Sequence, residues 1–210
     1  MSIDTRTNPV EAVAGDLDDD FLAAAAESRL VAVDIETTGL EWATNRIATC
    51  QFAVAGGPCA VVVRPTPRPG RVLRLLSDPT VTKVFHYALF DLRFIVHHWR
   101  AEPRAIACTK VASKLLTPGR KNHSLKPLLL EYLGVEIDKS LQTSDWARPD
   151  LTPEQLAYAV ADVVHLPALL DSLGRRLADA GLADLYRRCL DHIPTRVALE
   201  LGDYPDVFAY

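Results

Sequence analysis

Four carboxylates stand inside apolar stretches of this chain, and they constrain its fold more than any other feature. Asp34 and Glu36 lie in VAVDIETTGL, Asp91 lies in FHYALFDLRFI, and Asp162 lies in YAVADVVHL. A lone charge is expensive to bury, and acids gathered at one point repel one another until some take up protons. Divalent cations such as Mg²⁺ or Mn²⁺, which prefer oxygen ligands, remove that cost. If the acids converge, they form a two-metal site suited to cleaving phosphodiesters.

The hydrophobic pattern predicts strands first and then strands that alternate with helices. Strands are predicted at 30–36, 46–55, 59–64, 81–86 and 104–108. Helices are predicted at 17–27, 70–77, 88–99, 109–116, 124–133, from Thr152-Pro153-Glu154 onward, and at 183–201 with Pro194 as a candidate break. This order indicates a mixed sheet covered by helices. We expect residues 1–15 to form a flexible tail, residues 16–210 to form a single domain that ends in helices and a tail, and residues 134–152 to be irregular.

Composition narrows the classes of partner. The chain has 210 residues, of which 49% are hydrophobic, which is enough for a globular domain with a substantial core. A formal net charge of -4 argues against a long, sequence-blind nucleic-acid groove but leaves room for a short nucleic acid. The acidic N-terminus lacks a signal-peptide pattern, and no apolar run approaches the ~20 residues of a membrane span. We therefore expect a cytoplasmic protein without a membrane partner. Cys50 and Cys59 are either buried free thiols, which we favour, or a cross-strand pair.

The spacing of the acids groups them by face. Asp34 and Glu36 are two residues apart on a strand, so their side chains leave the same face. Tyr158 and Asp162 are four residues apart on a helix and share a face as well. Taken singly, each of these acids has an ordinary explanation other than a metal site. Asp34 and Glu36 could stand at a strand end that meets solvent, and Asp91 could complement a helix dipole. The order of the motifs along the chain is what makes them specific.

Taken in order, the strand with D-x-E, the helix with D and the helix with Y-x-x-x-D resemble the DEDD exonuclease superfamily. The tyrosine four residues before the last aspartate resembles its DEDDy branch, whereas the histidine branch would carry His where this chain has Ala157. Residues 131–163, EYLGVEIDKSLQTSDWARPDLTPEQLAYAVADV, are similar to the matching segment of ribonuclease D. RLLSD, TKVFHYALFDL, CTKVASKLL and the terminal DVFAY resemble the compact nanoRNase C family.

This resemblance implies an α/β, RNase H-like exonuclease fold with a mixed central sheet flanked by helices. It also implies hydrolytic removal of mononucleotides from a 3′ end. Carried over by motif, Asp34, Glu36, Asp91 and Asp162 would hold two divalent cations, Mg²⁺ or Mn²⁺, and Glu36 and Asp162 would also serve the catalytic step. Tyr158 would orient the attacking water. A role for it as a base comes second, because a phenol has a pKa of about 10.

Other candidate residues would contact the substrate. We expect backbone near Ile35 and Thr37 to meet the terminal sugar. Leu40 either wedges against a terminal base, as in the relatives, or is a core leucine. His86 either touches substrate or is a structural histidine.

The interval between Glu102 and Glu131 contains no acidic residue and is rich in lysine and arginine. We expect His123 and Lys126 in it to hold a substrate phosphate. The alternatives are a solvated helix face and an acidic neighbour in an oligomer.

The resulting prediction is a metal-dependent 3′–5′ exoribonuclease that hydrolyses dinucleotides or very short RNA to nucleoside 5′-monophosphates, with activity on DNA left open. Only residues 163–210 follow Asp162, too few for the additional modules of ribonuclease D. The alternatives are ribonuclease D-like 3′ trimming of structured RNA, such as tRNA precursors, and a catalytically inactive RNA-binding scaffold.

The resemblance to nanoRNase C also implies a homo-oligomer, a ring-like octamer. The apolar C-terminal residues suit either a subunit interface or packing on their own domain; they are Leu199, Leu201, Tyr204, Val207, Phe208 and Tyr210.

Overall fold

The computed structural model describes residues 10–138, 140–148, 150–204 and 206–209. Within these ranges the strands are β1 (Val10–Ala14), β2 (Leu30–Thr37), β3 (Ile47–Val54), β4 (Cys59–Val63), β5 (Thr82–Phe85) and β6 (Ile106–Cys108). The helices are α1 (Asp19–Ser28), α2 (Gly70–Ser77), α3 (Ala88–Trp99), α4 (Thr109–Leu116), α5 (Leu125–Leu133), α6 (Pro153–Val164), α7 (Leu166–Asp179) and α8 (Ala183–Leu201). The predicted elements are thus present with small shifts of their ends, and no strand or helix crosses the described part of 134–152.

The strands form one mixed sheet in the order β1-β4-β3-β2-β5-β6. β3 pairs antiparallel with β2 and β4, whereas β1 with β4, β2 with β5, and β5 with β6 are parallel pairs. One face of the sheet packs against α1, α2, α3 and part of α8, and the other face packs mainly against α5, α6 and α7. The strand with two of the predicted acids, β2, therefore lies in the middle of the sheet between two helical layers. The predicted α/β fold is confirmed.

Two local predictions are wrong. Residues 10–14, which we assigned to the flexible tail, form β1 and pair with β4 from Val10–Cys59 to Ala14–Val63. Their ladder partners lie about fifty residues away, so local sequence does not reveal the strand. Residues 1–9 of that tail lie outside the described residues. Helix α8 also continues through Pro194. Burial of Ile193 and Val197 on either side offsets the cost of a proline in a helix.

Helix α6 begins as its sequence predicts. The Thr152 side chain accepts a hydrogen bond from the Gln155 N–H at 3.2 Å, and Gln155 Oε1 accepts one from the Thr152 N–H at 3.0 Å, with Pro153 in the first turn. This capping box satisfies two backbone donors that the start of a helix leaves without intrahelical partners.

Together α6 and α7 make up a helical stretch, Pro153–Asp179, that is long and apolar enough to cross a membrane by length and composition alone, contrary to our expectation that no apolar run approaches that length. Its most apolar window has a mean hydropathy of 1.4, and half of that window is buried inside the protein. Because α6 packs against β2, β3 and β4, the stretch has the surroundings of a core helix pair. No disulfide joins Cys50 to Cys59, and both side chains are buried, so the cross-strand pair is not formed and the alternative that we favoured fits.

Candidate active site

Strand β2 presents the first two acids toward the layer that contains α6. Val31, Val33 and Ile35 enter the core on one face, and Asp34 and Glu36 leave the other face half-buried. Carboxylate oxygens of Asp34, Glu36 and Asp162 all lie within 4.8 Å of one another. A register shift between Glu36 and Thr37 then leads the chain from the ladder into the next loop. Three of the four predicted metal ligands are thus brought together from two elements.

Asp91 reaches the same place from the opposite helical layer. It is buried in the first turn of α3, and its Oδ1 accepts a hydrogen bond from the Ile35 N–H at 3.2 Å. The pKa of Asp91 is raised well above its usual range, mainly by burial and to a lesser extent by the charges of Asp34 and Asp162. The fourth acid is therefore within electrostatic reach of the cluster. Its ionised form is costly unless a cation is bound nearby.

Tyr158 lies beside the acids on α6, one turn before Asp162, and its side chain is buried. Burial, followed by the nearby charges of Asp162 and Glu36, raises the pKa of its phenol. A phenol in this environment keeps its proton near neutral pH. The raised pKa favours an orienting O–H group over a general base, and the role of Tyr158 stays a prediction.

Gln51 belongs to the site, although sequence reasoning missed it. Its Nε2 donates to Asp34 Oδ2 at 2.6 Å, and its Oε1 accepts from Thr49 Oγ1 at 3.0 Å, with Gln51 and Thr49 fully buried. Strand β3 is otherwise largely apolar, so a glutamine in IATCQFAV was the available signal. Hydrogen bonds of this kind orient metal ligands, and their loss typically lowers metal affinity or activity about 10–100-fold.

The loop between β2 and β3 holds Leu40 in solvent, with 76% of its surface exposed, so the core alternative for this leucine is wrong. The loop is closed on itself. The Thr38 N–H donates to the Arg46 carbonyl at 3.0 Å, and the Asn45 side chain lies so close to Gly39 that a Cβ there would come within 2.4 Å of it. The Thr37 hydroxyl donates to the Gly39 carbonyl at 2.7 Å.

The contacts of Ile35, His86 and His123 lie within the protein. The Ile35 N–H is donated to Asp91, so that donor is not available to a sugar. His86 bonds through Nδ1 to Thr109 Oγ1 at 2.8 Å and through Nε2 to the His123 carbonyl at 3.0 Å. These bonds support the structural alternative for His86.

The predicted phosphate ligands differ in exposure. His123 is buried and bonds through Nδ1 to Ser113 Oγ at 2.8 Å and through Nε2 to the Arg120 carbonyl at 3.1 Å. Both ring nitrogens are used internally, so the phosphate contact that we predicted for His123 is not supported. Lys126 is exposed on α5 and keeps its predicted role as a proposal.

The donor set fits divalent cations of the Mg²⁺ or Mn²⁺ class. Carboxylate oxygens are hard ligands, which these ions prefer over the nitrogen and sulfur donors typical of zinc sites. Burial raises the pKa of Asp91, so its ionised form would be stabilised by a cation bound nearby. The chemistry of the residues thus agrees with the metal site predicted from the sequence.

Comparison with known proteins gives consistent matches. The family model described as a 3′–5′ exonuclease matches residues 15–178. Ribonuclease D of Gluconacetobacter diazotrophicus is 35% identical over 156 residues, which cover 72% of this chain and 39% of that protein. The chain spans well under half the length of the curated ribonuclease D relatives that it matches first.

Among solved structures, Brucella melitensis NrnC is 33% identical, with a TM-score of 0.89 over 96% of this chain and 98% of that one. The same protein bound to pGG matches at 32% identity and a TM-score of 0.89, over 97% of this chain and 100% of that one. The structure of the same protein with bound Mg²⁺ matches at 32% identity and a TM-score of 0.88, over 96% of this chain and 98% of that one. Escherichia coli RNase D, 22% identical with a TM-score of 0.77 over 90% of this chain and 50% of that one, shares the fold.

Proposed function

The chain belongs to the DEDDy branch of the ribonuclease D-like 3′–5′ exonucleases, close to NrnC, and on that premise we propose that it hydrolyses dinucleotides or very short RNA to nucleoside 5′-monophosphates. The observation that carries this proposal is the convergence of Asp34, Glu36 and Asp162 within 4.8 Å. The pGG-bound structure of NrnC supports a short substrate. The acidic net charge of -4 also favours a substrate that needs few contacts.

We infer that Asp34, Glu36, Asp91 and Asp162 hold two divalent cations, Mg²⁺ or Mn²⁺. When bound, such ions make hydroxide available near neutral pH and stabilise the charge that develops on the leaving 3′ oxygen. Tyr158 presents its O–H to the attacking water and keeps it in line with the phosphorus atom. The Mg²⁺-bound structure of NrnC and the all-oxygen donor set support this assignment.

The remaining contacts orient the substrate. Leu40, held out by its closed loop, wedges against the terminal base, and the backbone at Thr37 meets the terminal sugar. Lys126 supplies positive charge for a phosphate on the 5′ side. We further propose a cytoplasmic homo-oligomer, an octamer by analogy with the nanoRNase C family. Its contacts would include Tyr204, Val207 and Phe208, which are between 53% and 64% exposed. Of the other apolar residues that we named there, Leu199 and Leu201 are partly buried, and Tyr210 lies outside the described residues.

The test is a timed product analysis on 5′-labelled RNAs of graded length, and on matching DNAs, with Mg²⁺, Mn²⁺ or EDTA. We expect dinucleotides to be cleaved fastest and EDTA to abolish cleavage. Asp34→Ala and Asp162→Ala should be inactive, and Tyr158→Phe should lower turnover more than binding. The control is Asp171→Ala, which removes an exposed carboxylate on α7. A preference for long structured RNA would favour ribonuclease D-like trimming, and undiminished cleavage in EDTA would refute the metal assignment.

A further inference from the structure

The first turn of α6 carries a buried glutamine, Gln155, that lies outside the acidic cluster. Gln155, which is 3% exposed, lies one turn before Tyr158 on the same helix. Its Oε1 accepts from the Thr152 N–H, and its Nε2 donates to Ser144 Oγ and to the Asp145 carbonyl, both at 3.1 Å. A buried amide with its bonds satisfied is costly to disturb. Gln155 therefore ties the irregular segment that precedes α6 to the helix that carries the catalytic tyrosine.

Trp146, which follows Asp145 in the chain, packs against Tyr158. Trp146 is 5% exposed, and its ring centroid lies 5.7 Å from that of Tyr158, with the ring planes inclined at 49°. The indole Nε1–H is buried without a hydrogen-bond partner in the described part of the chain. Packing, together with the bond from Gln155 to the neighbouring Asp145 carbonyl, is therefore what holds the indole in place.

A helix determines where the Tyr158 Cα lies, but not the angle at which its ring leaves the backbone. A catalytic group has to be held within about 0.5 Å and 10–20° of its working geometry by packing and by surrounding hydrogen bonds. Here the ring of Trp146 supplies the packing, and the Gln155 amide holds the segment that carries Trp146. Trp146, from the segment that precedes α6, thus packs on Tyr158, and Gln155 holds that segment; we call these two residues the brace.

We propose that Gln155 and Trp146 are positioning residues that hold the Tyr158 hydroxyl where it orients the attacking water. This inference rests on the proposed role of Tyr158. A displacement of about 1 Å at a reacting group can lower the rate about 100-fold. Loss of the brace therefore lowers kcat and leaves the Michaelis constant nearly unchanged, because neither residue is placed against the substrate.

The experiment compares Gln155→Met, Trp146→Leu and Trp146→Phe in the wild-type and Tyr158→Phe backgrounds, on an RNA that the wild-type enzyme degrades. In the wild-type background, Gln155→Met and Trp146→Leu should lower kcat roughly 10–100-fold. Trp146→Phe, which keeps an aromatic ring against Tyr158, should restore most of it. In the Tyr158→Phe background the same changes should cost less than about 3-fold, because the group that they position is absent. Gln142→Met, an exposed change in the same segment, is the matched control.

The outcomes separate the brace from the function on which it rests. If Gln155→Met and Trp146→Leu cost as much without the hydroxyl as with it, they act on folding in general, and the brace is overturned. The same conclusion follows if Trp146→Phe is as damaging as Trp146→Leu. If Trp146→Leu does not fold, Trp146→Phe and Gln155→Met still decide the matter through the two backgrounds. If Tyr158→Phe alone leaves turnover unchanged, the assigned role of Tyr158 fails and the brace fails with it.

Discussion

At the scale of single residues, Asp91 shows how the site trades stability for function. Its carboxylate is buried among other acids, and its pKa is raised first by burial and then by the charges of Asp34 and Asp162. The hydrogen bond from the Ile35 N–H stabilises only part of that charge. Like charges held together in a metal-free site favour unfolding, and a bound divalent cation reverses the effect. The metal-free protein should therefore gain stability when one of these charges is removed.

We predict that Asp91→Asn raises the free energy of unfolding of the EDTA-treated protein by about 1 kcal/mol, a common size for the release of functional strain. An asparagine Oδ1 can still accept the Ile35 N–H, so the fold keeps that bond. The same variant should lose both exonuclease activity and the rise in Tm that Mg²⁺ produces in the wild-type protein. Thermal unfolding with EDTA and with Mg²⁺ measures both effects. Asp171→Asn, at an exposed site, is the control, and equal Mg²⁺ stabilisation of Asp91→Asn would contradict the assignment.

The site could be predicted where it depends on local periodicity and not where it depends on distant pairing. The two-residue spacing of Asp34 and Glu36, and the four-residue spacing of Tyr158 and Asp162, follow from the repeats of a strand and a helix. Gln51 stands opposite Asp34 only because β3 pairs with β2 in that register. Gln155 was not singled out from the sequence, and its bonds to Ser144 and Asp145 depend on how an irregular segment folds back.

At the scale of elements, helix α3 supports two parts of the site at once. Near its start it carries Asp91, and near its end it anchors the β2–β3 loop through Trp42. The Trp42 ring meets the His97 ring at 4.8 Å, and the Trp42 carbonyl accepts a hydrogen bond from His98 Nε2 at 3.0 Å. The same loop presents Leu40 to solvent. One helix therefore sets the distance between a proposed metal ligand and the proposed wedge.

We predict that Trp42→Ala weakens substrate binding and leaves the chemical step largely intact. An aromatic pair contributes about 1 kcal/mol beyond its buried area, so loss of the anchor should raise the Michaelis constant for a dinucleotide by up to about fivefold. Trp42→Phe should retain most of the affinity because it keeps a ring against His97. Steady-state kinetics measure both parameters. A fall in kcat with an unchanged Michaelis constant would show that the loop does not act through binding.

The junction between α6 and α7 predicts a pH dependence of stability. His165 is buried there, its Nδ1 has no hydrogen-bond partner among the described residues, and burial lowers its pKa. The folded state therefore favours the neutral ring, whereas the unfolded chain takes up a proton near pH 6.5. The stability from this group is complete above about pH 6.5 and is lost as the pH falls toward the lowered pKa, with a slope of at most about 1.4 kcal/mol per pH unit.

Urea unfolding of wild type and of His165→Phe between pH 8 and pH 5 checks this dependence. The difference in unfolding free energy should be constant above about pH 6.5 and should shift in favour of the variant below it. Parallel curves for the two proteins over the whole range would exclude His165 as the titrating group.

Element prediction succeeded where hydrophobic periodicity and capping signals agree, as they do for α6, and failed where tertiary contacts override local preference. Val10–Ala14 becomes a strand because β4 offers a ladder edge. Pro194 stays inside α8 because the residues around it are packed in the core. Both outcomes depend on contacts between segments that are far apart in the sequence.

At the scale of the whole molecule, the site forms where the two helical layers meet across one strand. α3 approaches β2 from one face and α6 from the other, so Asp91 and Asp162 come from opposite layers. The C-terminal segment continues from α8 on the periphery. Arg196 pairs with Asp206 at 3.8 Å, and the Phe208 ring lies 5.7 Å from that of His192. The segment is thus held on its own domain while most of the apolar surface of Phe208 stays exposed.

We predict that this held segment, with Tyr204, Val207 and Phe208 exposed, is a contact between copies of the chain. The double change Val207→Ser and Phe208→Ser should lower the mass measured by sedimentation velocity, because serine removes the apolar area that the contact would bury. Leu130→Ser, at a residue that is 50% exposed on α5, is the matched control and should leave the mass unchanged. A wild-type protein that sediments as a monomer, or a variant with the wild-type mass, would remove these residues from any interface.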